Sequence, residues 1–329
     1  MKTADATIAR EIILSLLKAA KIQSIHEIYN RVRPGPDGRI RTTLSPVGTI
    51  TGRLASKGTF LEASTNLQNL PKKIAKLDPL FDVRRVLVPD PGYLFMEADL
   101  SQAEARVVAV LANDQKALDL FASGADIHRI TAAEVFGVAP EDITDKQREI
   151  GGKKARHSLS YGLGWKHFLE DVNKDSDLTG ISISAAEAKA IHSGYHRANP
   201  AIRLWHRSVE QEIYEKGFLT TPFGRRLVLI DQNDMLSAIA FVPQSTVADH
   251  LNMRLRVIYD KLDPDPFMLL HQIHDAVLGQ VKVAQARLVA RRLRRLMQHP
   301  IQIGSTSLLI PADVSTSSSS WGEMEEVSV

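Results

Sequence analysis

The sequence contains no cysteine, which excludes a disulfide framework, a cysteine-ligated zinc site and a cysteine nucleophile. Any bound metal ion must therefore take oxygen or imidazole ligands. Long apolar runs are also absent: no stretch approaches the roughly 18 uninterrupted apolar residues of a membrane span. The first ten residues lack the basic-then-apolar order of a signal peptide. We therefore expect a protein that is soluble, cytoplasmic and not exported.

A strong charge of one sign is absent as well. The 329 residues carry 41 Lys and Arg against 38 Asp and Glu, a net charge of +3, which alone does not indicate a nucleic-acid partner. This length allows one large domain or two smaller ones. Basic residues are concentrated in one predicted amphipathic helix near the C-terminal end, which carries Arg287, Arg291, Arg292, Arg294 and Arg295.

Two aspartates are predicted at the ends of apolar strands. The run from Leu94 to Ala98 predicts a strand that ends at Asp99, with a helical pattern after it. Two further runs, 267–273 and 277–283, are hinged at Asp275 and predict a β-hairpin with an acid at its bend. An aspartate in such a place more often caps the chain or faces water. If both converge on one sheet, they offer the oxygen ligands that Mg²⁺ takes alongside water and phosphates.

The rest of the chain is predicted to be largely helical. Residues 126–215 contain several helices, and residues 235–262 predict one long helix interrupted near Pro243. The serine-rich stretch 315–320 predicts a flexible loop.

Four residues in the middle of the chain combine a cation, an imidazole, a phenol and a glycine. Lys153, His157 and Tyr161 follow at four-residue spacing, which predicts that they share one face of a single helix, and Gly162 comes next. A lysine suits a phosphate and an aromatic ring suits the face of a base. The alternative is an ordinary solvated polar stripe, which composition alone favours.

Taken together, seven segments in the right order make the sequence resemble the family A DNA polymerases, over roughly residues 35–329. The segments are Thr51-Gly52-Arg53-Leu54 with Asn66-Leu67-Gln68-Asn69-Leu70-Pro71; Asp99-Leu100-Ser101-Gln102-Ala103-Glu104 (motif A); Asp126-Ile127-His128-Arg129; Lys153, His157, Tyr161 and Gly162 (motif B); Gly224-Arg225-Arg226; Pro243-Gln244-Ser245; and His274-Asp275 (motif C).

The resemblance implies an α+β fold: a right-hand polymerase with an antiparallel palm sheet, helical fingers and a mostly absent thumb. The implied division is a helical segment at 1–33 left over from a thumb, the first part of the palm at 34–110, the fingers at 111–216 and the second part of the palm at 217–329. A compact, phage-type enzyme is expected, located in a bacterial host cell if phage-encoded.

The resemblance also implies residue roles. Asp99 and Asp275 would hold two Mg²⁺ ions, for which Mn²⁺ can substitute, and Lys153 would neutralise the triphosphate. The nucleotide would be bound by Gln102, Glu104, His157, Tyr161 and Gly162, and the DNA would be contacted by Arg53, Gln68, Arg84, Gln244 and His274. Glu104 would exclude the 2′-hydroxyl of a ribonucleotide.

Three positions depart from the family pattern. Ala276 stands where the family has a second acid in motif C. His157 replaces a Phe or Tyr. The motif B arginine, normally four residues before the lysine, is replaced by Glu149, and Arg148 lies about 140° round an α-helix from Lys153.

These observations predict a template-directed DNA polymerase that adds deoxynucleotides to a primer 3′-hydroxyl and releases pyrophosphate. It could be the C-terminal piece of a split enzyme whose partner protein supplies a thumb and an exonuclease. The alternatives are a catalytically weak primer-template-binding accessory protein and a metal-dependent nuclease. Lys153 argues against both, because it serves an incoming triphosphate.

Overall fold

The apolar run before Asp99 forms the middle strand of an antiparallel sheet. In a computed structural model that describes residues 34–57, 66–70, 82–174, 180–228 and 235–329 and a few single positions (19, 23, 26, 27, 32 and 176), five strands pair in the order β11-β10-β3-β7-β6. Their bounds are β3 Tyr93–Leu100, β6 Phe267–Ile273, β7 Ala276–Lys282, β10 Ala312–Ser317 and β11 Glu325–Glu326. The predicted strand and the predicted hairpin are both confirmed.

Three smaller antiparallel pairs lie outside this sheet. They are formed by β1 Thr43–Ser45 with β2 Ala55–Lys57, β4 Phe218–Thr220 with β5 Arg226–Val228, and β8 Ile301–Ile303 with β9 Thr306–Leu308.

The serine-rich stretch is not the flexible loop that its composition predicts. Ser315 and Ser317 belong to β10, which pairs with β3 on one side and with β11 on the other. The Ser317 hydroxyl then accepts hydrogen bonds from the backbone N–H groups of Ser319 and Ser320, which orders the following turn. Cross-strand pairing and these local bonds satisfy the backbone, so the low-complexity composition does not decide the conformation.

Helices fill most of the interval between β3 and β6. Their bounds are α1 Ala103–Leu111, α2 Gln115–Ser123, α3 Ile127–Phe136, α4 Asp145–Gln147, α5 Ala155–Leu159, α6 Trp165–Asn173, α7 Ala185–Ala198, α8 Pro200–Lys216 and α9 Met235–Lys261, and α10 Ala286–Met297 follows the hairpin. A π-helical segment, Arg148–Lys154, joins α4 to α5.

The long helix α9 runs without a break through Pro243, contrary to the predicted interruption. Pro243 is buried, and Thr246 donates a hydrogen bond of 2.7 Å to the carbonyl of Val242. The proline removes the donor for the carbonyl of Ile239, four residues back, and the packing of this buried part of the helix keeps it continuous there.

The two faces of the five-stranded sheet differ in what packs against them. Because neighbouring residues of a strand point to opposite faces, Met96, Ala98 and Leu100 enter a core shared with α9 and α10, while Glu97 and Asp99 point to the other face. That second face carries a smaller apolar cluster around Phe95, Ile273 and Trp321. One face is thus structural, and the other is open for chemistry.

The α+β class with an antiparallel sheet is confirmed. The segment 1–33, predicted to be helical, lies almost wholly outside the described residues. Among the helices of the described part, none combines the length and apolar character needed to span a membrane.

Candidate active site

Asp99 and Asp275 meet at adjoining strand ends. Asp99 lies near the end of β3, and Asp275 lies in the turn between β6 and β7, where the backbone N–H of Leu100 donates to the carbonyl of Asp275 at 3.2 Å. His274, at the start of that turn, has a φ of 54°, in the left-handed region. This turn conformation aims the next carboxyl group at the end of β3.

The two carboxyl groups are close enough to share a hydrogen bond. Burial raises the pKa of Asp275, the charge of Glu104 raises it further, and the hydrogen bond with Asp99 opposes both effects. Two carboxylates in such contact must share a proton or bind a cation. The donor chemistry therefore fits a hard divalent cation.

A group of three or more His, Asp or Glu side chains arranged to bind a metal is not found among the described residues. Mg²⁺ keeps several waters and takes only one or two carboxylates from the protein together with substrate phosphates. Asp99 and Asp275 are the residues that would hold it.

A cavity of about 430 Å³ extends from Asp275 to the helical wall opposite. It brings together most of the predicted nucleotide-binding residues with two of the predicted DNA contacts. Its lining includes Arg53, Gln102, Glu104, Lys153, His157, Tyr161, His274 and Asp275.

The wall that carries Lys153 is not the single α-helix predicted from spacing. Lys153 lies in the π-helical segment, His157 lies in α5, and Tyr161 lies in the turn that follows α5. The rings of His157 and Tyr161 are nevertheless edge to face, with centroids 6.3 Å apart. The exposed Lys153 ammonium is 3.5 Å from Glu149. All three side chains still reach one cavity, so the predicted grouping holds although the local geometry differs.

The π-helical segment also changes the position of Arg148. The N–H of Ala155 donates to the carbonyl of Ile150, five residues back, so residues five apart come onto one face. The inference that Arg148 points about 140° away from Lys153 assumed α-helical geometry, which this segment does not have. Arg148 makes a two-pronged ion pair with Asp126, at 2.7 and 3.2 Å.

Glu104 links three parts of the chain. It forms an ion pair with Arg53, and it accepts a hydrogen bond of 2.5 Å from the Tyr161 hydroxyl. Burial raises the pKa of Tyr161, and the nearby Glu104 carboxylate raises it further, so the phenol stays protonated and donates. Gln102, in a left-handed conformation (φ 52°), starts helix α1 and so places Glu104 in its first turn.

Gly162 is constrained chiefly by its backbone. Its φ of +81° lies in the region that favours glycine, and an added Cβ would lie 3.3 Å from Leu236 and 3.4 Å from Ile239. Glycine here lets the chain turn directly after Tyr161, beneath α9.

A second cavity, also about 430 Å³, lies on the other side of the carboxylate pair, where Gln68, Arg84, Glu97, Asp99, His274 and Asp275 contribute to its lining. Gln68 is held in place, because its amide donates to the carbonyl and the side-chain oxygen of Gln272 at 3.1 and 3.0 Å.

Two predicted DNA contacts have other surroundings. Arg84 is only 5% exposed; it donates to the carbonyl of Leu70 and stacks 4.2 Å from the ring centre of Trp321. Burial lowers its pKa. These contacts hold Arg84 in place where it lines the second cavity with Asp99 and Asp275, and its assignment as a DNA contact stays a prediction. Gln244 is half-buried in α9 and is not among the residues that line either cavity.

Sequence reasoning assigned no role to three residues that the cavities contain. His128 and Arg156 line the first cavity, and burial lowers the pKa of His128 to about 4. Glu97 lines the second and accepts a hydrogen bond of 2.9 Å from the Trp321 indole. His128 could have been predicted from the sequence, because the segment 126–129 resembles a family signature. Glu97 has no sequence signal except that it lies two residues before Asp99.

A carboxylate pair at the open face of an antiparallel sheet, opposite a basic helical wall, defines a site of the kind that handles phosphate groups with a divalent cation. Comparison with known proteins identifies the family. Residues 2–323 match the model of DNA polymerase family A, and the chain belongs to that family.

The chain is similar to bacterial DNA polymerases I. It is 27% identical to the thermostable DNA polymerase I of Thermus aquaticus over 93% of this chain and 36% of that protein. It is 29% identical to DNA polymerase I of Pseudomonas aeruginosa over 95% of this chain and 33% of that protein. The chain thus spans about a third of the length of these relatives.

A solved structure has the same fold: the polymerase domain of Pol1 from M. smegmatis in complex with DNA primer-template and dNTP. It matches with a TM-score of 0.71 and 25% identity, over 89% of this chain and 49% of that one.

Proposed function

We propose that this chain carries the active site of a DNA-directed DNA polymerase, which adds deoxynucleotides to a primer 3′-hydroxyl and releases pyrophosphate. The observation that carries the proposal is that Asp275, hydrogen-bonded to Asp99, lines one cavity together with Lys153, Glu104 and Tyr161. This set offers cation ligands at one end and a positive charge for a triphosphate at the other. Family membership supports it.

Asp99 and Asp275 would hold two divalent cations, Mg²⁺ or Mn²⁺. Bound there, such ions supply charge neutralisation at the phosphates and lower the pKa of an attacking hydroxyl. Lys153 would bind the triphosphate as a point charge. His157 and Tyr161 would flank the nucleotide, and Gly162 would give the chain its turn beside it.

The remaining predicted residues would hold the nucleic acid. Arg53, Gln68 and His274 lie beside the carboxylate pair, which supports primer or template contacts there. The M. smegmatis relative was solved with primer-template and dNTP, and we propose the same partners for this chain. Such contacts would be mainly independent of sequence.

The proposals about subdomain boundaries, a separate partner protein and a phage-type origin rest on the resemblance to the family. The sheet and the parts 34–110 and 217–329 would form the palm, and residues 111–216 the fingers. A separate protein supplying thumb and exonuclease stays a prediction, as does a phage-type origin; the relatives compared above are bacterial.

Primer extension with Mg²⁺ tests the central proposal. Asp99→Ala and Asp275→Ala should each lower the rate of single-nucleotide addition by about a thousandfold or more, since a lost ligand removes several kcal/mol of transition-state stabilisation. Primer-template affinity, which rests mostly on phosphate neutralisation, should change little. Asp119→Ala, an exposed aspartate on α2, is the matched control.

Wild-type turnover by Asp275→Ala would show that the metal assignment is wrong. A wild-type chain that binds primer-template but does not extend it, alone or with added proteins, would favour the accessory-protein alternative. Degradation of the primer by the same aspartates would favour a nuclease.

A further inference from the structure

The basic helix α10 is not used by the proposed active site. It contains five arginines, and the surrounding residues 276–312 contain no Asp or Glu at all. Two of the five hold the helix in place: Arg292 donates to the carbonyl of Lys261 at 2.7 Å, and Arg294 donates to the carbonyl of Val329. The other three have no such structural task among the described residues.

Those three, Arg287, Arg291 and Arg295, form what we call the arginine stripe. They are exposed and follow at four-residue spacing, so they lie along one side of α10 over about 12 Å. In the described part of the chain, none of them is ion-paired to an acid. Like charges four residues apart on a helix repel one another, so the bare stripe costs stability.

The apolar side of the same helix is already occupied. Val289, Ala290, Leu293 and Met297 are buried in the core behind the sheet. A helix that inserts into a membrane surface needs that side free. The stripe therefore acts on a partner chiefly through its charge, with Leu288 an exposed apolar side chain beside it.

The stripe lies on the far side of the sheet from the carboxylate pair. The core that receives α10 also receives Met96, Ala98 and Leu100, whereas Asp99 points to the opposite face of β3. Nucleic acid bound along the stripe would therefore occupy a surface separate from the active-site cavity.

We propose that the arginine stripe is a second binding surface for the phosphodiester backbone of DNA, at the rear of the sheet. Exposed guanidinium groups without acidic neighbours bind phosphate oxygens in paired hydrogen bonds. Three of them in a line suit a polyanion with regularly spaced charges, and they carry no information about base sequence. The surface would retain DNA on the protein independently of a primer end.

A DNA without ends distinguishes binding at this surface from binding of a primer end at the active site. We would measure binding of a covalently closed dumbbell duplex, which has no 3′ end, to the full chain by fluorescence anisotropy from 50 to 200 mM salt. The triple variant Arg287→Gln, Arg291→Gln, Arg295→Gln should lower the salt slope by about 3, and should bind at 50 mM on the order of 10-fold or more weakly. The matched control removes the same charge from exposed arginines of α7 and α8: Arg197→Gln, Arg203→Gln, Arg207→Gln.

Equal affinity and equal slope for the two triple variants would overturn the proposal. Loss of binding to anionic vesicles or to an acidic peptide, with dumbbell binding unchanged, would overturn it as well. Unfolding is monitored separately: because like charges are removed, the melting temperature of the stripe variant should stay the same or rise. The dumbbell has no 3′ end, so the binding result does not depend on the proposed catalytic function. Single-nucleotide addition at saturating primer-template should stay within twofold of wild type, because the stripe lies apart from the active site.

Discussion

Replacing Glu104 by alanine should let the site accept ribonucleotides. The Glu104 carboxylate is fixed between the Arg53 guanidinium and the Tyr161 hydroxyl, and its side chain is 19% exposed. A carboxylate held from both sides cannot rotate away from a 2′-hydroxyl. We therefore expect Glu104→Ala to lower the deoxyribonucleotide-to-ribonucleotide selectivity by about 100-fold, which corresponds to about 2.7 kcal/mol.

The same change should also destabilise the fold. Tyr161 loses the acceptor that keeps its buried hydroxyl hydrogen-bonded, and Arg53 loses its ion pair. A hydrogen bond to a charged group contributes about 1.5–3 kcal/mol to stability. The Arg53 side chain is 33% exposed, so solvent weakens its ion pair with Glu104. We therefore expect the free energy of unfolding to fall by about 2 kcal/mol.

Two further variants separate the steric effect from the stability effect. Glu104→Gln keeps the volume and an acceptor, so its selectivity should stay within a few-fold of wild type. Tyr161→Phe removes the phenol hydroxyl but leaves Glu104 paired with Arg53, so it should lose stability while keeping most of the selectivity. Selectivity is measured as single-turnover incorporation of matched deoxy- and ribonucleotides, and denaturant unfolding gives stability. Unchanged selectivity in Glu104→Ala would refute the assigned role.

Two other predictions concern histidines. The resemblance implies that a Tyr at position 157 accepts dideoxynucleotides, so wild type should reject them and His157→Tyr should incorporate them much better; equal incorporation ratios would mean that His157 does not contact the nucleotide. Burial lowers the pKa of both His250 and His271 from 6.5 to about 4. Unfolding frees them to take up protons below pH 6.5, so stability should fall as the pH drops from 6.5 to 4, by on the order of 3 kcal/mol per histidine. Denaturant unfolding at pH 7.5 and pH 5 checks the sign, and His271→Gln should flatten the dependence.

The carboxylate pair was predictable because its signals are local. An apolar run that ends at Asp99, and a hairpin with Asp275 at its bend, depend on alternation and turn chemistry within a few residues. The two aspartates are 176 positions apart, so local signals do not bring them together. The family resemblance, which rests on the order of the segments, implied a shared site, and β3 does pair with β7. The meeting of Asp99 and Asp275 therefore follows from local signals and segment order, whereas the roles of these and the other site residues stay predictions.

The failures have tertiary causes. Ser315 and Ser317 look like a linker by composition, but pairing with β3 makes them a strand. The π-helical turn before Ala155 absorbs one residue and brings Arg148 round the helix, which α-helical spacing does not predict. The stacking of Arg84 on Trp321, more than two hundred residues away, has no local signal either, and its predicted DNA contact stays a prediction.

The replacement of the usual second acid by Ala276 has a physical consequence in the sheet. Asp99 has a cross-strand neighbour on each side, Asp313 on β10 and Ala276 on β7. Side chains directly opposite on antiparallel strands lie about 5 Å apart, and like charges there are destabilising. An acid at position 276 would flank Asp99 with negative charge on both sides, next to an Asp275 whose pKa is already raised by burial and by Glu104. With alanine there, no further carboxylate raises the pKa of Asp275, and around a divalent cation held by Asp99 and Asp275 the remaining coordination positions would be left to water and phosphates.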